Sequence, residues 1–267
     1  MNRLDLPTKK IIAEVEENIG WLIFNQPKKR NAVSLEMWEA IPVVIEEFSK
    51  NDDVRLIVMK GEGGKAFVSG ADISEFEEVR STPEQVEYYE QASSLAKNSL
   101  TNFQKPLIAM IEGYCIGGGM GIALTADIRI ASNDSQFGVP AAKLGLGYGY
   151  DGIKELMNLV GPSYAKEIFF TGDRFSSGQA EKMGLVNAVV EKKQLQEYVE
   201  NFSSIIANNA PLTIKSSKAA INEGLKNFNM QNLDYIAELV DRCFKSEDYI
   251  EGRRAFMEKR KPNFKGI

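Results

Sequence analysis

Apolar positions along the chain recur with two different periods, and the switches between them divide it into short strands and amphipathic helices. Residues 11–15 and 21–24 are apolar runs of strand length separated by a turn at 18–20, which predicts an antiparallel hairpin. Over 34–50 the period becomes helical: Leu35, Trp38, Ile41, Ile45 and Phe48 share one face, Ser34 is placed as N-cap, and Pro42 predicts a bend. The run 56–59 is short and wholly apolar, so strand, helix and strand predict a crossover in a parallel sheet. TPEQ at 82–85 has the form of a capping box and opens a helix to about residue 104, with Val86, Tyr89, Ala92, Ala96, Leu100 and Phe103 on its apolar face. Two further strands fall at 106–111 and 128–131. From residue 163 onward the pattern is helical apart from a last strand at 184–189, with helices at 194–209, 211–225, 230–245 and 247–260. The division predicts an α/β core over residues 1–192 and a helical packing or oligomerisation segment over 193–267.

Glycine interrupts this pattern in three places. Gly117, Gly118 and Gly119 lie in EGYCIGGGMGIAL (112–124), where a buried strand hands over to a helix. The first N–H groups of a helix lack partners and carry the positive end of its dipole, so such a turn suits a phosphate, an enolate or an oxyanion. A close strand–helix contact also needs glycine. A second small-residue turn spans 61–74 around Ala71, and either a plain turn or a ligand-facing backbone fits it. The third, GYGYDG at 147–152, spells G-x-G-x-x-G, but no strand precedes it and it stands mid-chain, so it reads as a loop rather than a dinucleotide site. Lys28, Lys29 and Arg30 form a basic loop that suits either a phosphate or plain solvation.

Composition narrows the chemistry. The 267 residues include no histidine, which excludes a Ser-His-Asp triad, a Cys-His pair and histidine zinc sites, and leaves proton transfer to Asp, Glu, Tyr, Lys or Cys. Cys115 and Cys243 make neither a disulfide framework nor a metal motif, and no metal is expected. A net charge of −5 offers no basic excess for nucleic acid. The N-terminus lacks a signal-peptide core and no run reaches membrane-span length, so the cytoplasm is the expected location.

Taken in order, NQPKKRNA (25–32), AFVSGADI (66–73), EGYCIGGGMGIAL (112–124), QFGVP (136–140), TGDR (171–174), GLVN (184–187) and AFMEKRKPNFK (255–265) resemble the crotonase superfamily, the enoyl-CoA hydratase and isomerase group. The resemblance covers nearly the whole chain. It implies the crotonase fold, a spiral of β-β-α units, followed by C-terminal helices that build a homotrimer or a dimer of trimers. It also implies an acyl-CoA thioester substrate, with coenzyme A entering as part of that substrate and no separate cofactor. By the same resemblance, the backbone N–H groups of Ala71 and Gly118 polarise the thioester oxygen, and Asp72, Ile73 and Ser74 line the coenzyme path. Lys28, Lys29 and Arg30 become candidates for the phosphates, while Phe256 and Lys259 match positions that reach the nucleotide end.

The departures from the family pattern bear on the reaction. A typical hydratase of this group carries two glutamates, at positions where this chain has Gly121 and Ala141. Some relatives carry a catalytic aspartate where Gly149 stands; here the nearest carboxylate is Asp151, expected either as a base whose pKa is raised by tyrosines and apolar walls or as the N-cap of the helix beginning near Gly152. Tyr148 and Tyr150 are candidate proton donors or wall residues, Lys143 an acid or surface cation, and Glu75, Glu77 and Glu78 approach the acyl pocket or form a solvated face. The reading is an enolate-stabilising acyl-CoA enzyme of enoyl-CoA hydratase/isomerase type. Its alternatives are a decarboxylase or isomerase using Asp151 and the tyrosines, and a non-catalytic acyl-CoA-binding member.

Overall fold

The computed structural model describes residues 2–267. It opens with β1 (Asn2–Arg3), β2 (Ile11–Glu16) and β3 (Ile19–Phe24), an antiparallel edge. β2 and β3 form the expected hairpin, joined by Glu17 and Asn18, whose positive φ angles of 48° and 67° suit a two-residue turn matched to strand twist. Gly20, expected in the turn, lies within β3 instead, where a Cβ would come 2.9 Å from the ring of Phe48. The helix α1 (Leu35–Lys50) continues through Pro42 as a single helix. Ser34 stands at its N-cap, yet the hydroxyl makes no capping bond and is buried without a partner.

Three units follow, each a strand, a second strand and a helix. They are β4 (Leu56–Gly61) and β5 (Ala66–Val68), followed by the short α2 (Phe76–Val79) and α3 (Pro83–Thr101); then β6 (Leu107–Ile111), β7 (Tyr114–Ile116) and α4 (Gly118–Thr125); then β8 (Ile128–Ser132), β9 (Gln136–Gly138) and α5 (Tyr150–Thr171). β10 (Phe175–Ser176), α6 (Ser177–Lys182), β11 (Ala188–Val190) and the helices α7 (Leu195–Ala207), α8 (Pro211–Gly224), α9 (Leu233–Lys245) and α10 (Glu247–Glu258) complete the chain. The first strand of each unit joins a seven-stranded sheet ordered β1-β2-β3-β4-β6-β8-β11, and the second joins a four-stranded sheet ordered β10-β9-β7-β5. The chain therefore winds from one sheet to the other and back through a helix, and the pairings from β3 to β11 are parallel.

Strand alternation explains the burial on both faces of the large sheet. Leu22, Phe24, Ile57, Met59, Ala109 and Ile111 enter the main core with α1, α3 and α4. Their neighbours Trp21, Ile23, Leu56, Val58, Ile108 and Met110 point the other way, into a second core closed by Leu195 and Val199 of α7. α7, on the C-terminal side of the boundary read at residue 192, thus packs on β4, β6 and β8. α9 begins at Leu233, three positions later than 230, because Asn232 caps it by accepting from the Tyr235 N–H. The last strand is Ala188–Val190, not 184–189: Gly184 takes φ 79°, and residues 185–187 form a connector.

That connector is held by a residue whose strand position conceals its role. Arg129 of β8 is buried; its Nε donates to Leu185 O at 2.8 Å and its Nη1 to Ala126 O at 2.6 Å, joining the end of α4 to the connector. Burial lowers its pKa to about 10. Replacing it strands carbonyls inside the protein, where each unmet polar group costs about 1–3 kcal/mol. Arg129→Met should therefore destabilise the fold by about 3 kcal/mol, read as a lower urea midpoint; an unchanged midpoint would contradict this clamp.

Candidate active site

The three glycines at the start of α4 have three different functions. Gly117 takes φ 53° and ψ −111°, a turn into the helix that a side chain would strain. A Cβ on Gly119 would fall 2.1 Å from Val68 O, so this position must be bare for α4 to sit against β5. A Cβ on Gly118 would stand 3.6 Å from Ala71 N, an ordinary contact distance. The N–H groups of Gly118 and Ala71 are therefore neighbours at the positive end of a helix.

Both donors are free. Val33 N donates to Gly70 O at 2.8 Å and Asp72 N donates to Val33 O at 2.9 Å, a bridge that grips the residues on either side of Ala71 and leaves its own N–H unused. Among the described residues neither the Ala71 N–H nor the Gly118 N–H has a backbone acceptor. Two such donors converging from a helix terminus and a clamped loop suit an oxygen that gains negative charge.

The loop after Ala71 is fixed by an ion pair. Asp72 is buried, receives Lys29 Nζ at 2.7 Å, and accepts from the Ser74 hydroxyl at 2.6 Å and the Ser74 N–H at 3.2 Å. Burial pushes its carboxyl up, but Lys29 and Ser74 hold it below the usual carboxylate range. The Asp72 and Lys29 side chains are thus occupied in positioning the loop rather than free for a ligand. Lys28 is exposed, and Arg30 lies over the Tyr114 ring at 5.3 Å, as does Arg174 at 5.2 Å. Ile73 and Ser74 are exposed along the same loop. Glu75 pairs with Lys10 at 3.0 Å, and Glu77 and Glu78 are exposed. Lys143 pairs with Asp173.

The wall facing α4 differs from the sequence expectation. Asp151 does not cap α5: Gly149 does, placing Tyr150 and Asp151 in the first turn, both exposed. The burial expected around Asp151 belongs to Glu155, one turn later, whose carboxyl pKa is raised first by that burial. Tyr148 is half-buried against Phe169, ring centroids 5.0 Å apart, and burial raises its hydroxyl pKa. Its ring folds over Gly152, where a Cβ would come within 2.8 Å of it. That packing accounts for the glycine at 152, whereas Gly147 and Gly149 have open space around them and the 3₁₀ turn Pro140–Leu144 ahead of them ends on Gly145 at φ 65°. Lys97 of α3, absent from the sequence candidates, approaches from the other side: a Cβ on Gly121 would stand 3.7 Å from its Nζ and 3.8 Å from the Tyr148 hydroxyl.

The sequence profile of the enoyl-CoA hydratase/isomerase family matches residues 14–267. The chain belongs to this family. It is 36% identical over 251 residues to the short-chain-enoyl-CoA hydratase of Clostridium acetobutylicum, covering 94% of this chain and 95% of that one. It is also 36% identical over 262 residues to the crotonyl-CoA hydratase of Syntrophomonas wolfei, covering 96% and 98%. The crystal structure of an enoyl-CoA hydratase/isomerase family protein from Hyphomonas neptunium superposes with a TM-score of 0.90 at 36% identity, over 96% of this chain and 97% of that one. The crotonase-type spiral of β-β-α units is thus the fold of this chain.

Phe256 and Lys259 lie apart from this centre in the C-terminal helices. Phe256 is 83% exposed at a groove of about 970 Å³ lined also by Leu212, Val240, Phe244, Tyr249 and Phe264, and Lys259 is the left-handed C-cap of α10. Among the described residues no helix is long and apolar enough to cross a membrane, and no cluster of metal-ligating side chains occurs.

The Lys29–Asp72 pair generates a pH dependence with a definite sign. Folding lowers the Asp72 pKa, so its contribution is full above the unfolded carboxylate value, about 3.9, and is lost as pH falls through the folded value. Asp72→Asn should lower the urea midpoint near neutral pH, with the gap to wild type closing below about pH 4. A gap that persisted unchanged in acid would show that the pair is not its source.

Proposed function

We propose that the chain is an enoyl-CoA hydratase/isomerase-type enzyme that stabilises the enolate of an acyl-CoA thioester. The observation that carries the reading is the adjacency of two unused N–H groups, Ala71 and Gly118, at the N-terminus of α4. The relatives whose names specify enoyl-CoA and crotonyl-CoA act on thioesters of this class, which supports the substrate. As a pair of electrons moves onto the thioester oxygen, both donors gain strength without reorganising, and that differential is catalysis. The carbonyl end lies at Ala71 and Gly118, the coenzyme follows Ile73 and Ser74, and Lys28 and Arg30 meet the phosphates. Coenzyme A is part of the substrate and no other cofactor is required. Tyr148 faces the acyl group, with Tyr150 and Asp151 at the rim.

The exposed apolar face of the C-terminal helices, including Phe228, Met230, Phe244 and Phe256, supports a homotrimer or dimer of trimers, in which Phe256 and Lys259 contribute to the nucleotide end. We place the enzyme in the cytoplasm, a reducing compartment in which its free cysteines, Cys115 and Cys243, would stay as thiols.

Gly118→Pro tests the oxyanion hole. Proline is accepted at the first position of a helix, whose N–H has no helical partner, so the change removes the donor while α4 persists. Turnover of acyl-CoA substrates, followed from crotonyl-CoA by loss of conjugated-thioester absorbance and from a 3-enoyl-CoA by its gain, should fall about 10²–10³-fold. The thermal midpoint reports the fold, and undiminished turnover in a folded variant would rule out this donor.

A further inference from the structure

Position 121 is buried and carries no side chain, yet two polar groups converge on the space a side chain would occupy. Lys97 Nζ and the Tyr148 hydroxyl stand 3.7 Å and 3.8 Å from its would-be Cβ. Gly118 and Gly121 lie three residues apart on one helix, so their Cβ positions are about 5–6 Å apart on the same face. The Lys97 amine therefore lies about one helical turn from the oxyanion donors.

What holds the Lys97 amine in the protein is weak: the face of the Trp38 ring and the charge of Glu155. Among the described residues no hydrogen bond or ion pair reaches its Nζ. Burial lowers its pKa, opposed by the charge of Glu155. The groups facing it are Glu155 from α5, Tyr148 from the loop before α5, and the Trp38 ring of α1, 5.8 Å from Nζ. From α4, Gly121 faces it. An amine held partly out of water without an acceptor loses its proton more readily than an ordinary lysine, and the deprotonated amine is a competent base.

We propose that Lys97 is the proton-transferring residue of this site, with Glu155 as its positioning partner. The proposal rests on the acyl-CoA reading above. The neutral amine takes a proton from the carbon next to the thioester carbonyl: the C–H bond breaks, an N–H bond forms, and the electron pair passes into an enolate whose oxygen is held by Ala71 and Gly118. The ammonium then returns the proton. With a 3-enoyl thioester the return is to the far carbon of the dienolate, giving the conjugated 2-enoyl isomer. No water, oxidant or second substrate is consumed. Tyr148, its hydroxyl pKa raised by burial, faces the same space at position 121 as a hydrogen-bond donor to the substrate.

Exchange of the α-hydrogens of butyryl-CoA into D₂O, followed by mass spectrometry, reads enolate formation without presuming the physiological acyl group. Wild type should exchange, with a rate that rises with pH and reaches half its maximum below the ordinary lysine value of about 10.4. Lys97→Met, which keeps a linear apolar side chain of similar length, should lose exchange by about 10²–10⁴-fold while still binding butyryl-CoA. Glu155→Gln removes the charge that raises the amine's pKa, so it should retain exchange and move the half-maximal pH downward. Exchange in Lys97→Met within about threefold of wild type, small against the usual acid–base contribution, would overturn the assignment. So would an exchange profile with its midpoint near pH 4–5, the signature of a carboxylate base, or a profile that Glu155→Gln does not move. Should the methionine variant fail to fold, the Glu155→Gln profile decides alone. Wild type without exchange and without saturable butyryl-CoA binding would sink the acyl-CoA reading itself, whereas exchange abolished by Gly118→Pro but kept by Lys97→Met would sink only the role of Lys97.

Discussion

The approach of α4 to the end of β5 at backbone distance is the constraint on which the site depends. Val68 O occupies space that any side chain at position 119 would need, so the helix can dock only because that residue is glycine. Once docked, α4 brings the Gly118 N–H beside Ala71 N, and the parallel β5–β7 pairing fixes the height at which they meet. The carbonyl-to-Cβ clash makes this arrangement specific: a looser helix would leave the two donors unable to share one oxygen. The Val33 bridge and the Asp72–Lys29 pair then hold the Ala71 strand end in place, and Arg129 holds the other end of α4. The helix is thereby fixed at both termini, one by close packing and one by charge-assisted hydrogen bonds.

Local pattern was enough to read most of the fold. Strand alternation, the TPEQ cap of α3 and the glycine triplet each carry their structural meaning within a few residues, and all three stand where the chain indicates. Errors arose where a distant partner decides. Gly20 looked like a turn residue and is bare to admit Phe48, which follows it by 28 positions. Ser34 looked like a cap and is placed as one, but its hydroxyl is buried without a bond.

The candidate site divides in the same way. The backbone donors follow from glycine and small residues at strand ends, which a sequence displays. The side chains around them do not. Asp151 is the carboxylate nearest to Gly149, where some relatives carry a catalytic aspartate, but burial depends on helix phase, and one turn later that phase carries Glu155 inward. Lys97 sits in α3 among residues that alternate between surface and core, and nothing in its neighbours along the chain marks it. Only the docking of α3 against α4, which sets its amine opposite a missing side chain at Gly121, reveals it.

The absence of a side chain at 121 and the presence of an amine beside it are electrostatically linked. A carboxylate base starts charged and ends neutral as the enolate forms, so the site holds one negative charge throughout and the two states differ little in mutual interaction. An amine base starts neutral and creates an ion pair, ammonium and enolate, within one pocket. In a partly dehydrated site with an effective dielectric near 20, opposite charges about 6 Å apart attract by about 3 kcal/mol, which offsets much of the cost of separating them. A glutamate at position 121 would add a third charge there, pairing with Lys97 and holding it protonated. An amine of this kind and a carboxylate at 121 are thus alternatives rather than partners, and a glycine is what leaves Lys97 free to titrate.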